Sequence, residues 1–278
     1  MNSKKFKLGV LTSLLVSVFL FTSCEKEVDP TDNYSTDSIQ KSAEIDVASD
    51  AVSSIVEEAF VTQEGIAGRS TEASVSFLPD CMTRTVVING FTRTVSLDFE
   101  GDCVMPNGNH LSGMITIEYV VNPAELTRTI TYSFTDFYFN AKNIIGGGSI
   151  YREFENANGN PQSTKNHDIT VTWPNGASAQ RVGVKVREWT EGVGSGTWGD
   201  NVYLITGNWV TNFPNGDVNT GLVTTPLRRE LACQFIASGV VNLTHNEYEG
   251  VLDFGGGSCD NIAIFTGENG VEYTIILD

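Results

Sequence analysis

Four cysteines carry the clearest chemistry in this chain, at Cys81, Cys103, Cys233 and Cys259. A zinc site usually brings ligands together at close spacing, as in C-x-x-C, and no such pair occurs in the sequence. An even number of well-separated cysteines is typical of disulfide bonds in an exported protein, and four cysteines allow three connectivities. We expect Cys81 to pair with Cys103 and Cys233 with Cys259; a Cys81–Cys233 pair, tying the ends of the domain together, is the alternative.

The three histidines offer little support for catalysis. His110, His167 and His245 lie in or next to different expected turns, far apart in sequence. Their spacing does not match H-x-x-x-H, and no G-x-S-x-G sequence marks a nucleophilic serine. We expect each histidine to be an exposed turn residue.

Paired carboxylates are the remaining catalytic possibility, since glycoside hydrolysis needs two acids across a cleft. Candidates on or beside expected strands are Glu118, Asp136, Glu153 and Glu188. Because the chain has 34 acidic residues, such neighbours arise by chance. The sequence therefore predicts a protein that is not an enzyme, with no cofactor and no metal.

Aromatic residues are concentrated in the middle of the chain. The four tryptophans are Trp173, Trp189, Trp198 and Trp209. Exposed rings would make a platform for sugars or for an apolar ligand. The tryptophans are therefore a candidate ligand site, although the simpler interpretation is that they form the core of a sheet.

The elements that position these residues are β-strands. From about residue 75, apolar and polar residues alternate with a period of two, and turn signals such as Pro174-Asn175-Gly176 and Asn269-Gly270 separate the runs. Asn89-Gly90 predicts a type I′ hairpin turn with positive φ at both residues. Short connections require antiparallel neighbours. We predict an all-β fold, a long antiparallel meander that is curled or barrel-like, with a sandwich as second choice.

Within each strand, one side is apolar and the other polar. In the run over residues 180–189, the alternating sets are Val182, Val184 and Val186 against Arg181, Lys185 and Arg187. We expect the valines to face a dry core and the basic residues to face water. The glycine triplets at 146–148 and 255–257 are expected where strands bend.

One helix is predicted ahead of the strands. Its apolar residues recur at steps of three and four: Ile45, Ala48, Val52, Ile55, Val56, Ala59 and Phe60. Gly65 follows its expected end. Such an amphipathic stripe is typical of a helix that covers one sheet, and residues 43–278 are expected to form a single domain.

The N-terminal residues predict export and lipidation. Lys4, Lys5 and Lys7 precede an uncharged apolar stretch at 8–21, which is shorter than the about 20 residues that span a bilayer. The sequence Phe21-Thr22-Ser23-Cys24 resembles a bacterial lipobox, with phenylalanine where leucine is usual. We predict a signal peptide at 1–23, acyl chains that attach Cys24 to a membrane, and a flexible acidic tether at 24–42. The alternative is an ordinary signal peptide with Cys24 incidental.

Charge excludes one class of partner. The chain has 17 basic and 34 acidic side chains, and loss of the signal peptide removes three lysines and no acid. A mature net charge of about −20 repels phosphate backbones, so we exclude nucleic acid. The charge favours solubility.

A weak internal repeat accompanies the cysteines. The stretch from Cys81 to Cys103 and the stretch from Cys233 to Cys259 both run cysteine, strand, turn, strand, loop, cysteine. Their second strands end in the same Leu-Asp-Phe sequence, at 97–99 and 252–254. Each hairpin could be closed by its own disulfide.

These motifs resemble a group of uncharacterised Bacteroidetes lipoproteins over about residues 80–277. The resemblance is carried by Cys81-x-Thr83-x-Thr85, Thr94-Val95-x-Leu97-Asp98-Phe99, Ser112-Gly113-x-Ile115-x-Ile117, Thr225-Pro226-Leu227, Cys259-Asp260-Asn261 and Asn269-Gly270-Val271-x-Tyr273. The acidic segment at 25–29 resembles the tag that sends such lipoproteins to the cell surface. The resemblance implies an outer-membrane, surface-exposed location and no particular chemistry.

Together these features predict a non-catalytic surface or envelope lipoprotein with a binding or structural role. Its expected partners are the membrane, through the lipid anchor, and a glycan or another envelope protein. The alternatives are a carrier that holds an apolar ligand inside the curled sheet, with the helix as its cover, and a carbohydrate-binding or carbohydrate-active module.

Overall fold

The computed structural model describes residues 36–64, 77–122 and 127–277. The predicted signal peptide, Cys24 and tether residues 24–35 lie outside these ranges. The helix α1 (Thr36–Glu64) begins inside the predicted tether, so residues 36–42 are helical. Ile39 and Ser42 are buried, because this part of the helix packs against the strands. The segment contains neither glycine nor proline, which favours an uninterrupted helix.

Within the described ranges, thirteen strands follow the helix: β1 (Met82–Asn89), β2 (Thr92–Val104), β3 (His110–Val120), β4 (Thr127–Phe139), β5 (Lys142–Glu153), β6 (Gln162–Thr172), β7 (Ser178–Glu191), β8 (Val202–Asn212), β9 (Val218–Glu230), β10 (Ser238–His245), β11 (Tyr248–Gly256), β12 (Ile262–Gly267) and β13 (Glu272–Ile276). They form one sheet in which each strand pairs with the next along the chain, always antiparallel. Among the described residues β1 does not pair with β13, so the sheet is open. The all-β meander is confirmed.

Two local predictions need correction. The first hairpin turn consists of Gly90 and Phe91, because Asn89 still pairs with Thr92. Only Gly90 has a positive φ, of 59°, as in a type II′ turn and unlike the type I′ turn that we expected at Asn89-Gly90. In addition, the strand that the internal repeat predicts directly after Cys233 is β10, which begins only at Ser238.

The helix lies inside the curl of the sheet. From Ser38 to Val61 every side chain of α1 is buried except Gln40, which is half-buried. Side chains from widely separated strands reach it, including Tyr119 on β3 and His245 on β10. The helix is therefore covered all round, not on one side only as its apolar stripe predicted. In the part of the chain that the structure describes, no helix is both long and apolar enough to cross a membrane.

The two faces of β7 are the reverse of our prediction. Val182 and Val184 are 44% and 37% exposed on the outer face. Arg181, Lys185 and Arg187 point inward and are almost completely buried. The physical reason is that α1 supplies acidic partners to the inner face, so the polar side of β7 can be buried.

Glycines and aromatic rings alternate across the inner face of the sheet. Gly183 and Gly221 lie in register on either side of Trp209. A Cβ atom on Gly221 would lie 2.3 Å from Cε2 of the Trp209 ring. In the same way, a Cβ on Gly250 would lie 2.2 Å from Cζ of Phe265. These glycines leave room for rings that lie across the neighbouring strands.

The glycine triplets lie where strand pairing is irregular, as expected. The β4–β5 register shifts between Ser133 and Phe137, so residues 134–136 lie opposite Ile145 and Gly146, the first residue of the triplet at 146–148. The β10–β11 register shifts between Ser238 and Val240, beside the triplet at 255–257.

Both expected disulfides are present, Cys81–Cys103 and Cys233–Cys259. The first closes the open end of the β1–β2 hairpin and the second closes that of β10–β11. The internal repeat therefore corresponds to two stapled hairpins.

Candidate functional site

The four tryptophans do not form an exposed platform. Trp173, Trp189 and Trp209 are buried, and Trp198 is half-buried against Phe77. The indole N–H of Trp173 donates to Glu44 at 2.6 Å. The simpler interpretation, that these rings belong to the core, fits the structure.

A cluster of buried charges joins α1 to the sheet. We call it the ionic core, and its members are Asp46, Asp50 and Glu57 of α1 with Arg152, Arg181, Lys185, Arg187 and Arg229 of the strands. Asp46 Oδ1 accepts from both Arg181 Nη1 and Lys185 Nζ at 2.6 Å. Buried ions are stable only when paired in this way. The ionic core therefore determines how α1 is seated in the sheet.

Asp50 lies between two guanidinium groups. Its carboxylate oxygens are 3.4 Å from Arg187 Nε and 3.0 Å from Arg229 Nε. Burial alone would raise the pKa of Asp50, but the charges of Arg187, Arg229, Lys165 and Lys185 outweigh it and lower that pKa. Asp50 is therefore ionised in the core.

Two of the three histidines are buried, contrary to the prediction of exposed turn residues. His167 lies within β6, and neither of its ring nitrogens has a hydrogen-bond partner. His245 ends β10, with Nδ1 2.6 Å from Asn219 Oδ1. Burial, followed by the nearby charges of Lys165, Lys185 and Arg181, lowers the pKa of His167 far below its ordinary value of 6.5. His167 is therefore a neutral core residue.

The burial of the neutral His167 ring predicts that the protein becomes less stable as the pH falls. Since the pKa of His167 is lowered by folding, the unfolded state binds more protons below about pH 6.5, and stability is lost as the pH falls. Between pH 8 and pH 5, we expect the free energy of unfolding of the native protein to fall by about 2 kcal/mol more than that of His167→Leu. Urea unfolding at both pH values measures this difference. Equal losses in the two proteins would contradict the buried, neutral assignment.

The third histidine lies in an open pocket on the outer face. This pocket, here called the His110 pocket, has a volume of about 800 Å³. Its walls come from the end of β2, the start of β3, the β4–β5 turn and the β9–β10 loop, and include Asp102, His110, Tyr138, Asn140, Ala141 and Gln234. His110 Nδ1 lies 2.8 Å from Asp102 Oδ1. The outer face thus holds a histidine–carboxylate pair beside an exposed tyrosine.

Local backbone features build the pocket. The β2–β3 register shifts between Phe99 and Cys103, and Gly101 there has a φ of +66°, which places Asp102 beside His110. Asn140 and Ala141 form the two-residue β4–β5 turn with φ of +46° and +63°. An alanine in this left-handed region costs about 1–2 kcal/mol relative to its usual conformation. The pocket wall therefore carries the methyl group of Ala141 at a turn position where glycine would have no such conformational cost.

Asn140 fixes the turn to the neighbouring strand. Its Oδ1 accepts from the backbone N–H of His110 at 2.9 Å, and its Nδ2 donates to Asn109 Oδ1 at 2.9 Å. These bonds hold the rim of the pocket to the start of β3, next to the histidine.

The carboxylates considered for glycoside hydrolysis have other roles or lie exposed. Glu188 Oε1 accepts from the amides of Asn158, Asn156 and Asn160, and these hydrogen bonds lower its pKa. It therefore fixes the loop between β5 and β6. Glu118 is exposed on β3, and Asp136 lies in the irregular part of β4 with a φ of +47°.

A second, shallower groove of about 910 Å³ crosses the outer face of β5 to β8. Its exposed side chains include Ile145, Val182, Val184 and Val210, and Asp168 there accepts from Gln180 Nε2 at 2.8 Å. Its two ring-bearing lining residues, His167 and Trp209, are buried, so this groove lacks the exposed aromatic ring that Tyr138 gives to the His110 pocket.

The pairing of His110 with Asp102 was not predicted from the sequence, because it depends on the irregular register of β2. A usable signal was that Asp102 directly precedes a disulfide cysteine, which fixes its place.

No family model matches this chain, and the comparisons with curated proteins and with solved structures found no match.

Proposed function

We propose that the protein is a non-catalytic, lipid-anchored envelope protein that binds its ligand in the His110 pocket. The observation that carries this proposal is the pocket itself, which combines an exposed aromatic ring with a histidine–carboxylate pair and amide groups. Ligand sites are typically concave, with a few polar groups that fix orientation.

The packing of α1 against the inner face of the sheet supports the choice of the outer face as the binding surface. The carrier hypothesis placed an apolar ligand inside the curled sheet, but α1 occupies that space and its side chains are buried there. Ligand binding is therefore assigned to the outer face.

A binding role also fits the chemistry around His110. Nucleophilic catalysis needs a hydroxyl or thiol within hydrogen-bond reach of the base. Among the described residues, the partner of the His110 ring is Asp102, and no serine, threonine or cysteine side chain is hydrogen-bonded to that ring.

Membrane attachment rests on the lipobox at Phe21-Thr22-Ser23-Cys24, and surface display on the acidic segment that follows. We expect radiolabelled palmitate to enter the native protein in a Bacteroidetes host and to be absent from Cys24→Ala. Proteinase added to intact cells should degrade the native protein. Label retained by Cys24→Ala, or no label in either protein, would exclude acylation at this residue.

A further inference from the structure

The lining of the His110 pocket indicates the class of ligand. We propose that it binds a neutral saccharide, with Tyr138 stacked on the apolar face of one sugar ring and with Asp102, His110 and Gln234 bonded to its hydroxyls. This inference rests on the proposed function and deepens it.

Tyr138 provides the stacking surface. Its neighbours Phe137 and Phe139 are fully buried on the inner side of β4, so the pleat of the strand directs Tyr138 outward, where it is 42% exposed. Tyrosine combines an apolar ring with a polar hydroxyl, which suits a ligand that presents both C–H and O–H groups.

The polar groups suit neighbouring hydroxyls. If Nδ1 of the neutral His110 ring donates to Asp102, Nε2 is left as an acceptor. An ionised carboxylate offers about four lone-pair positions, of which His110 uses one. Hydroxyls that donate to a carboxylate form charge-assisted bonds, which are stronger than neutral ones. The pocket can thus accept several hydroxyl hydrogens from one ring.

The side chains that line the pocket disfavour anionic ligands and metal ions. Neither lysine nor arginine lines it, whereas Asp102 does, so phosphate, sulfate or uronate groups would lack a cationic partner. In the described part of the chain, no group of three or more histidine, cysteine, aspartate or glutamate side chains could hold a metal ion. A neutral, hydroxyl-rich ligand fits better than an anion or a metal ion.

Both disulfides hold walls of this pocket. Asp102 adjoins Cys103, and Gln234 adjoins Cys233. The turn before β3 is also tied to the β9–β10 loop, because Asn107 Nδ2 donates to the carbonyl of Leu231 at 3.4 Å. Two hairpins that are far apart in sequence are thus fixed at one site, and such preorganisation lowers the entropic cost of binding a small ligand.

The test uses purified full-length protein on an array of glucans, mannans, xylans and galactans, with heparan sulfate, polygalacturonate and unmodified peptides alongside. Calorimetry follows with the best neutral oligosaccharide. We expect Tyr138→Ala to weaken binding by at least about ten-fold, since the stacking surface is lost. Tyr151→Ala is the matched control, because Tyr151 is 43% exposed on the outer face but does not line the pocket, and it should bind within two-fold of the native protein.

The inference is overturned if no neutral saccharide binds, or if Tyr138→Ala and Tyr151→Ala bind alike while both unfold at the native temperature. Binding of an anionic glycan or of a peptide instead would also overturn it. If such a ligand is lost in the Asp102→Ala/His110→Ala double variant, the pocket remains the binding site and only the ligand class is wrong. If that double variant binds every ligand normally, the proposed function fails as well.

Discussion

Replacing Asp46 by alanine is expected to lower the free energy of unfolding by about 3–5 kcal/mol, as when one partner of a buried ion pair is removed. The carboxylate accepts from Arg181 and Lys185 at 2.6 Å, and all three side chains are almost completely buried. Without it, two positive charges remain in the core with no compensating partner at that point. Unfolding in guanidinium chloride, followed by tryptophan fluorescence, measures the loss.

Two further variants separate charge from packing. Asp37→Ala is the matched control on the same helix, since the Asp37 side chain is 74% exposed whereas that of Asp46 is fully buried. We expect it to change stability by less than about 1 kcal/mol. The triple variant Asp46→Leu, Arg181→Met and Lys185→Met should recover most of the loss, because apolar replacements of a buried ion cluster are often tolerated. If Asp46→Ala is as stable as Asp37→Ala, the ionic core does not hold the helix.

Replacing Gly221 by alanine is expected to lower the free energy of unfolding by about 3 kcal/mol through overpacking. The new Cβ would lie 2.3 Å from Cε2 and 2.4 Å from Cζ2 of Trp209. The ring cannot move away easily, because Arg181 Cζ and Lys185 Nζ lie 4.8 and 4.5 Å from its centroid. Thermal unfolding by circular dichroism gives the measurement.

Gly256→Ala is the control for this substitution. Gly256 also lies in a strand, has no positive φ, and would have no atom within 4 Å of its Cβ. Its effect should stay within about 0.5 kcal/mol. Adding Trp209→Leu to Gly221→Ala should restore part of the lost stability; a Gly221→Ala protein as stable as the control would show that the ring does not lie over this glycine.

The strands could be predicted because their signals are local. Each hairpin joins neighbours in sequence, so alternation and turn residues such as Asn269-Gly270 were sufficient to place β12 and β13. The disulfide partners followed from the same local logic, because Cys81 and Cys103 flank one hairpin.

The orientation of β7 could not be predicted in this way. Assigning Val182 to the core assumed that a core is apolar, whereas the partners of Arg181 and Arg187 are helix residues more than 100 positions earlier in the chain. The spacing of Asp46, Asp50 and Glu57 on one side of the helix was a signal of such partners. Taken alone, however, that spacing is also typical of a solvated helix face.

The candidate site depended on register more than on residue type. His110 was assigned to an exposed turn, but the shift in β2 and the left-handed turn at Asn140 bring it into one pocket with Tyr138. Neither feature has a distinctive sequence, since alanine occupies a turn position that normally indicates glycine.

The place of the helix at the start of the chain has a consequence for how the protein assembles. Adjacent hairpins can form quickly, because they close short loops. The bonds from the helix to Arg152 and Arg181 span 95 and 135 residues, so they close only after β5 and β7, respectively, have been made. The helix is therefore synthesised first and docked late, and until then its acidic residues keep it hydrated. A chain stopped before β7 would lack both Arg181 and Lys185 and would leave the Asp46 carboxylate without its cationic partners, so the helix can be neutralised at this point only once β7 has been made.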